Sequence, residues 1–474
     1  MAASHTSPYA GSWYPGRTEE LSRLLDHLFS SSTKRTGEHL MPHARAFVVP
    51  HAGLAYSGTV AAAVYRHIAA LRPRRVAILA FSHSGGPNEV VVPEVDAIRT
   101  PVGEAVMDAA DLPFRRVSEA QVCDHSLEIQ LPLLLRAAPE THVAPLYVGH
   151  LSERAREDAA QALAALAGPD TVFVASSDFT HYGRGFGFTP FPVNDETPER
   201  IRELDFDVIR AASSLDPAAF LACLRQSGAT VCGYNPIALL LRTLALTGTG
   251  DFYQETLDYQ TSGEITGEFD HSVSYAAIGY FPREAFELDA AERELLHESA
   301  RRTLNHLFET GRRKPIPPRS MTPNLARRAG VFVSLHEGGE LRGCIGHRIG
   351  YEPLAAAVPQ LALSAALEDP RFEPLRAPKR PVEIEISVLT PMRRIRDINA
   401  FVLGRHGAYF SSGIYHSLLL PQVAEDRDWE REDFFNALCR KAGCGGGAWR
   451  SPGAELYVFE AQVFGGAAAA AAAG

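Results

Sequence analysis

Three apolar runs in the first half of the chain each lead into a histidine. Ala46-Phe47-Val48-Val49-Pro50 leads into His51-Ala52-Gly53, and Val76-Ala77-Ile78-Leu79-Ala80-Phe81 into Ser82-His83. Val172-Phe173-Val174-Ala175 leads into Ser176-Ser177-Asp178-Phe179-Thr180-His181. A fourth candidate, His150, follows Leu146-Tyr147-Val148-Gly149. Further on, Cys232 stands just ahead of Gly233-Tyr234-Asn235-Pro236, where Asn235 is a plausible N-cap and Pro236 a first helical residue. A cysteine at a helix N-terminus is expected to have a lowered pKa, which favours thiolate and metal binding. Imidazole and thiolate suit Fe(II), Zn(II) or copper, not magnesium or calcium. His51, His83 and Cys232 therefore make an unusual ligand set, with positions left for water, O2 or substrate. His181, with Asp178 nearby, is placed to orient a ligand or to act as general acid/base.

Such residues can meet only if the elements bearing them bring their ends together. Apolar runs at 46–50, 75–81, 142–148 and 171–176 alternate with amphipathic segments at 60–71 and 151–166. Strands alternating with helices predict an α/β domain with a mainly parallel sheet, buried on both faces. In such a sheet the strand C-termini open onto one edge, where ligands bind. Texture changes near Phe281-Pro282: a charged helix over 289–310 is followed by a basic, proline-rich link at 311–323. Short runs at 330–335, 340–345 and 381–389 then read as antiparallel strands, with helices over 353–367 and 432–442. We therefore divide the chain into residues 1–285 and 286–464, and expect the Ala/Gly tail, 465–474, to be disordered.

Composition narrows the function classes. At about 100–200 residues per domain, 474 residues hold two or three domains. A net charge of −10, with no basic block to offset it, argues against nucleic-acid binding. Six scattered cysteines are too few for a disulfide scaffold and form no paired zinc motif. Met1-Ala2-Ala3-Ser4-His5 lacks the features of a signal peptide, and no apolar stretch reaches the ~18–20 residues of a membrane helix. A cytoplasmic, reduced protein without membrane contact is the expectation.

Tyr9-Ala10-Gly11-Ser12-Trp13-Tyr14, Pro50-His51-Ala52-Gly53, Asp124-His125-Ser126-Leu127-Glu128, Ser176-Ser177-Asp178-Phe179-Thr180-His181 and Val231-Cys232-Gly233 follow one another in the order of the Memo family. The first half resembles that family, whose fold is similar to that of the class III extradiol dioxygenases, non-haem Fe(II) enzymes. The resemblance implies that His51, His83 and Cys232 are metal-site residues. It also implies that His181 corresponds to the dioxygenases' acid/base histidine and that His125 lies in the same cleft. Those enzymes complete their site with a carboxylate; Cys232 here shifts the preference toward softer ions such as Cu(I). His150 has no counterpart in the family pattern and reads as a loop residue.

In the second half, Leu341-Arg342-Gly343-Cys344-Ile345-Gly346 sets a cysteine between glycines at a strand end, with Arg342 placed to lower its pKa or hold an anion. A buried small apolar cysteine is the competing reading. With Glu368-Asp369-Pro370-Arg371-Phe372, Glu385-Ile386-Ser387-Val388-Leu389-Thr390-Pro391 and Leu420-Pro421-Gln422-Val423, this motif resembles the AMMECR family, implying an α+β fold on an antiparallel sheet. Fusion of the two halves resembles components of the AmmeMemoRadiSam system, which implies a radical-SAM partner. The chain has no CxxxCxxC motif, so that cluster chemistry cannot reside in it. The expected function is Fe(II)- or copper-dependent, dioxygenase-like redox chemistry on a small-molecule substrate, with His181, His125, Asp178 and Cys344 as catalytic candidates. The rival is a non-catalytic metal carrier or peptide-binding scaffold, which needs the ligands but not His181.

Overall fold

The computed structural model describes residues 4–247, 252–424 and 427–466. These form two compact units, Met1–Ala285 and Phe286–Gly474.

The first unit is built on a nine-stranded sheet. At its centre Ala46–Val49, Thr171–Ser176, Arg75–Ala80 and His142–Val148 lie side by side, all parallel. Nearly every residue in them is buried, which is why they read as unbroken apolar runs. The expected parallel pairing holds at this centre and again between Val90–Pro93 and Arg115–Val117 at one edge. His271–Pro282 pairs antiparallel with Ala46–Val49 and forms a hairpin with Phe252–Thr261, while Val90–Pro93 runs antiparallel to His142–Val148. The sheet is mixed because an apolar run carries no record of its neighbour's direction; connections set that. Helix Leu54–Leu71 packs on the His271–Pro282 strand, and helix Tyr234–Leu246 on Thr171–Ser176. The first of these starts six residues before its expected beginning at residue 60, directly after Gly53. The second starts before Asn235: Gly233 is its N-cap, and Pro236 lies at the third helical position.

In the second unit all strand pairings are antiparallel. Glu340–His347, Val331–Glu337, Val382–Leu389, Glu455–Gly465, His406–Ser412 and Tyr415–Leu419 lie in that order, with Arg393–Ile395 beside Glu455–Gly465. Alternation in Val382–Leu389 puts Ile384, Ile386 and Val388 in the core. Helix Ala290–Thr310 is opened by a reciprocal cap: Glu292 N–H donates to Asp289 Oδ1 (2.8 Å) and Asp289 N–H to Glu292 Oε2 (3.0 Å). It stops at Gly311, whose φ of +68° suits glycine. The segment expected to be irregular has no regular element until the short helix Pro323–Ala326. Gly465 belongs to a strand and Gly466 N–H donates to Ile384 O (2.9 Å), so these two are not tail. Residues 467–474 of the expected disordered tail lie outside the described residues. Among the described residues no helix is long and apolar enough to cross a membrane.

Candidate functional site

The three central strands that end in histidine or Ser-Ser-Asp deliver their residues to one edge of the first unit's sheet. His51 is buried, and its ring and backbone are both held. Its Nδ1 is 2.9 Å from Ser176 Oγ, and its N–H donates to Asp178 Oδ1 at 2.8 Å. Ser176 Oγ in turn donates to the Ser126 carbonyl and accepts from Gln130 Nε2 at 3.1 Å. With Nδ1 engaged, His51 turns Nε2 toward Cys232 Sγ, 3.3 Å away. Burial, with His125 and His83 close by, holds His51 well below the usual histidine pKa, so it is neutral.

His83 is held in the same way by a carboxylate. Asp124 accepts from the His83 backbone N–H (2.9 Å) and lies 2.9 Å from its Nδ1, which leaves Nε2 available. Asp124 also caps the helical turn His125–Glu128 by accepting from Ser126 N–H at 2.9 Å. Burial works to raise its pKa, yet the hydrogen bonds from His83 and Ser126 and the nearby His125 bring it down to about 2. His125 is sandwiched between His83 and Trp13, with ring centroids 4.1 Å from each. Burial pushes His125 down to about 4.

Cys232 arrives from the other side. Its Sγ accepts from Asp178 N–H at 3.2 Å, and the next residue, Gly233, donates to Ser177 Oγ at 2.9 Å. A Cβ on Gly233 would fall 2.3 Å from the Ser176 carbonyl, so this close approach requires glycine. The expected lowering of the Cys232 pKa is reversed: burial first, then the Asp178 carboxylate, push the thiol up. Helix-end polarity is a small effect beside desolvation and a like charge. One donor atom from each of His51, His83 and Cys232 lies within 4.8 Å of the others.

Asp178 is 4% exposed, and burial raises its carboxyl pKa against the opposing pull of His181. Its carboxylate holds the His51 N–H and its backbone holds the Cys232 sulfur, contacts that position both residues. His181 is partly buried; its Nδ1 stands 2.8 Å from Phe179 O and 3.0 Å from Thr230 O, which fixes the proton on Nδ1 and leaves Nε2 free. A cavity of about 330 Å³ opens beside this group, with His83 and Cys232 on its wall and Phe81, Val122, Val148 and Pro236 supplying apolar surface. His150 also lines it. It sits on a loop as expected, but its Nδ1 is 2.9 Å from Tyr234 OH, so it belongs to the cleft. The strand-end pattern that singled out His51 and His83 marks His150 equally. Trp13, Asp124 and Ser176 stand in the family's motifs, but their roles left no mark in the sequence, because each acts through a partner distant along the chain.

Residues 6–279 match the family model described as Memo-like protein, and residues 297–464 match the one described as AMMECR1. The chain belongs to the Memo family and carries an AMMECR1 domain. Over 188 residues it is 41% identical to Protein MK0488 of Methanopyrus kandleri, spanning 38% of this chain and 90% of that protein. It is 30% identical over 295 residues to the Protein memo-1 homolog of Caenorhabditis elegans, 58% of this chain and 81% of that protein. With Protein MEMO1 of Xenopus laevis the identity is 33% over 289 residues, 57% of this chain and 94% of that protein.

Cys344, the remaining candidate, lies in the AMMECR1 unit on strand Glu340–His347. Its N–H donates to Asp369 Oδ2 (2.8 Å), and Arg371 donates to its carbonyl (3.2 Å) and to Asp369 Oδ1 (2.9 Å). Arg342, expected to act on the thiol, is instead paired with Glu337. Arg371, not Arg342, is the arginine that reaches Cys344, through the backbone carbonyl. Gly343 explains its own presence: a Cβ there would fall 1.9 Å from the Ala365 carbonyl of helix Leu354–Leu367.

Proposed function

We propose that the Memo unit is a metal-dependent redox protein with a class III extradiol dioxygenase-like fold, acting on a small molecule bound in the cleft. The observation that carries this reading is the convergence of His51, His83 and Cys232 within 4.8 Å, with His83 and Cys232 on the wall of a cavity of about 330 Å³. Both imidazoles have Nδ1 engaged and Nε2 available, the arrangement a metal-binding histidine requires. The thiolate and imidazole set fits iron or copper, and such an ion, once bound, supplies one-electron chemistry. The chain's own residues do the rest. Ser176 and Asp124 fix the imidazoles, apolar walls at Phe81, Val122 and Val148 limit water, and His181 Nε2 accepts and returns a proton of the substrate. A reducing compartment, the cytoplasm, keeps Cys232 as a thiol. The resemblance to a fused two-component system makes a radical-SAM protein the proposed associate.

Metal analysis of anaerobically purified protein, followed by O2 uptake with candidate catechols, tests this. Iron or copper near one equivalent, together with metal-dependent uptake, supports it. Full metal content in a Cys232→Ala variant would remove the thiolate from the site. Stoichiometric metal without turnover on any substrate would favour the carrier reading.

A further inference from the structure

A second group of metal-ligand side chains meets outside that centre. One donor atom from each of His5, Cys123 and Glu128 lies within 4.8 Å of the others. They come from separate places: His5 from strand Ser4–Thr6, Cys123 from the end of the short helix Glu119–Val122, and Glu128 from the following helical turn. The Glu128 side chain is fully buried, with 0% exposure. One of its oxygens, Oε1, is 3.0 Å from His5 Nε2. The other, Oε2, is buried with no hydrogen-bond partner among the described residues. A buried carboxylate oxygen left unpaired is costly and calls for an ion or another donor. On the far side of the His5 ring, Glu119 Oε1 stands 3.7 Å from Nδ1, where a carboxylate orients a metal-binding imidazole.

We propose that His5, Cys123 and Glu128 form a second metal site, a structural one for a zinc-like divalent cation. Zinc accepts imidazole, thiolate and carboxylate at about 2.0–2.3 Å, so donors sharing one tetrahedral ion stand about 3.3–3.8 Å apart. The three present here lie within 4.8 Å of one another and need close by at most about 1.5 Å to share one ion. Glu128 Oε2 then gains its missing partner, and a water completes the tetrahedron. The ion ties the strand Ser4–Thr6 to the segment that begins with Asp124, the residue that holds His83. This site stands independently of the redox reading, since it shares no ligand with the first centre.

The test uses the full chain, stripped with chelator and titrated with Co(II), whose bond to a thiolate gives a charge-transfer absorption. In Cys232→Ser protein that absorption should still appear, at about one equivalent. Adding Cys123→Ser should abolish it, and adding Glu128→Gln instead should weaken Co(II) binding at least about tenfold. Absence of the band in Cys232→Ser, or its survival in the double variant, overturns the proposal and leaves His5 and Glu128 as a buried ion pair. Should the double variant fail to fold, alkylation of the wild type decides: zinc must slow modification of Cys123, and an unchanged rate overturns the site.

Discussion

At the scale of residues, His51 and His83 each commit one ring nitrogen before any ligand arrives, to Ser176 and to Asp124. Loss of either imidazole or of the Cys232 thiol should abolish most tight metal binding, because a three-armed chelate fails when one arm goes; metal content of His51→Ala, His83→Ala and Cys232→Ala measures this. His181→Ala should keep metal and fold while losing about 10²–10⁴-fold in turnover, the usual worth of general acid/base help. Metal loss in step with His51→Ala would instead make His181 a ligand. In the AMMECR1 unit the hydrogen bonds from Arg371 hold the Asp369 carboxyl down at about 2. A folded pKa below the unfolded one contributes stability that is complete above about pH 4 and lost as pH falls toward 2. Acid unfolding of Asp369→Asn should lack that dependence, by on the order of 1 kcal/mol because Arg371 is largely exposed and screened. An unchanged acid limb would show that the pair contributes nothing.

Helix Tyr234–Leu246 and strand Thr171–Ser176 show how elements set the site. Their contact is close enough that Gly233 sits over the Ser176 carbonyl and the Ser177 side chain, and this seats Cys232 against His51. Gly233→Ala puts a methyl 2.3 Å from the Ser176 carbonyl. Relieving that overlap must move the helix start, with an expected loss of about 1–3 kcal/mol in denaturant unfolding and weaker metal binding in the same variant. Undiminished metal affinity would mean that Cys232 is placed by something other than this contact. The helix start itself was legible only to within two residues, since Asn-Pro is a good cap signal and Gly-Tyr a poor one. Packing against Ser177 overrode it.

For the whole molecule, both domains and their order can be read from the sequence, while exposure along the chain cannot. Residues 281–288 look like a linker, yet Phe281, Ala285, Phe286 and Leu288 are buried. The stretch 311–322 is mostly exposed and without regular structure, inside the AMMECR1 unit. Limited proteolysis should therefore cut first at 311–322, giving fragments that separate on a denaturing gel but stay together under native conditions. First cleavage at 281–288 would show that this apolar segment is not held.

Periodicity and apolar runs determined the central strands and most helices, because burial on both faces or on one leaves a local imprint. Local order also placed His51, His83 and Cys232 at element ends. Tertiary structure alone decided the mixed direction of the sheet, the rise in the Cys232 pKa, the role of Asp124 and the membership of His150 in the cleft. Each depends on distances between residues far apart in the chain. Desolvation and hydrogen bonding are properties of those distances, and no stretch of sequence contains them.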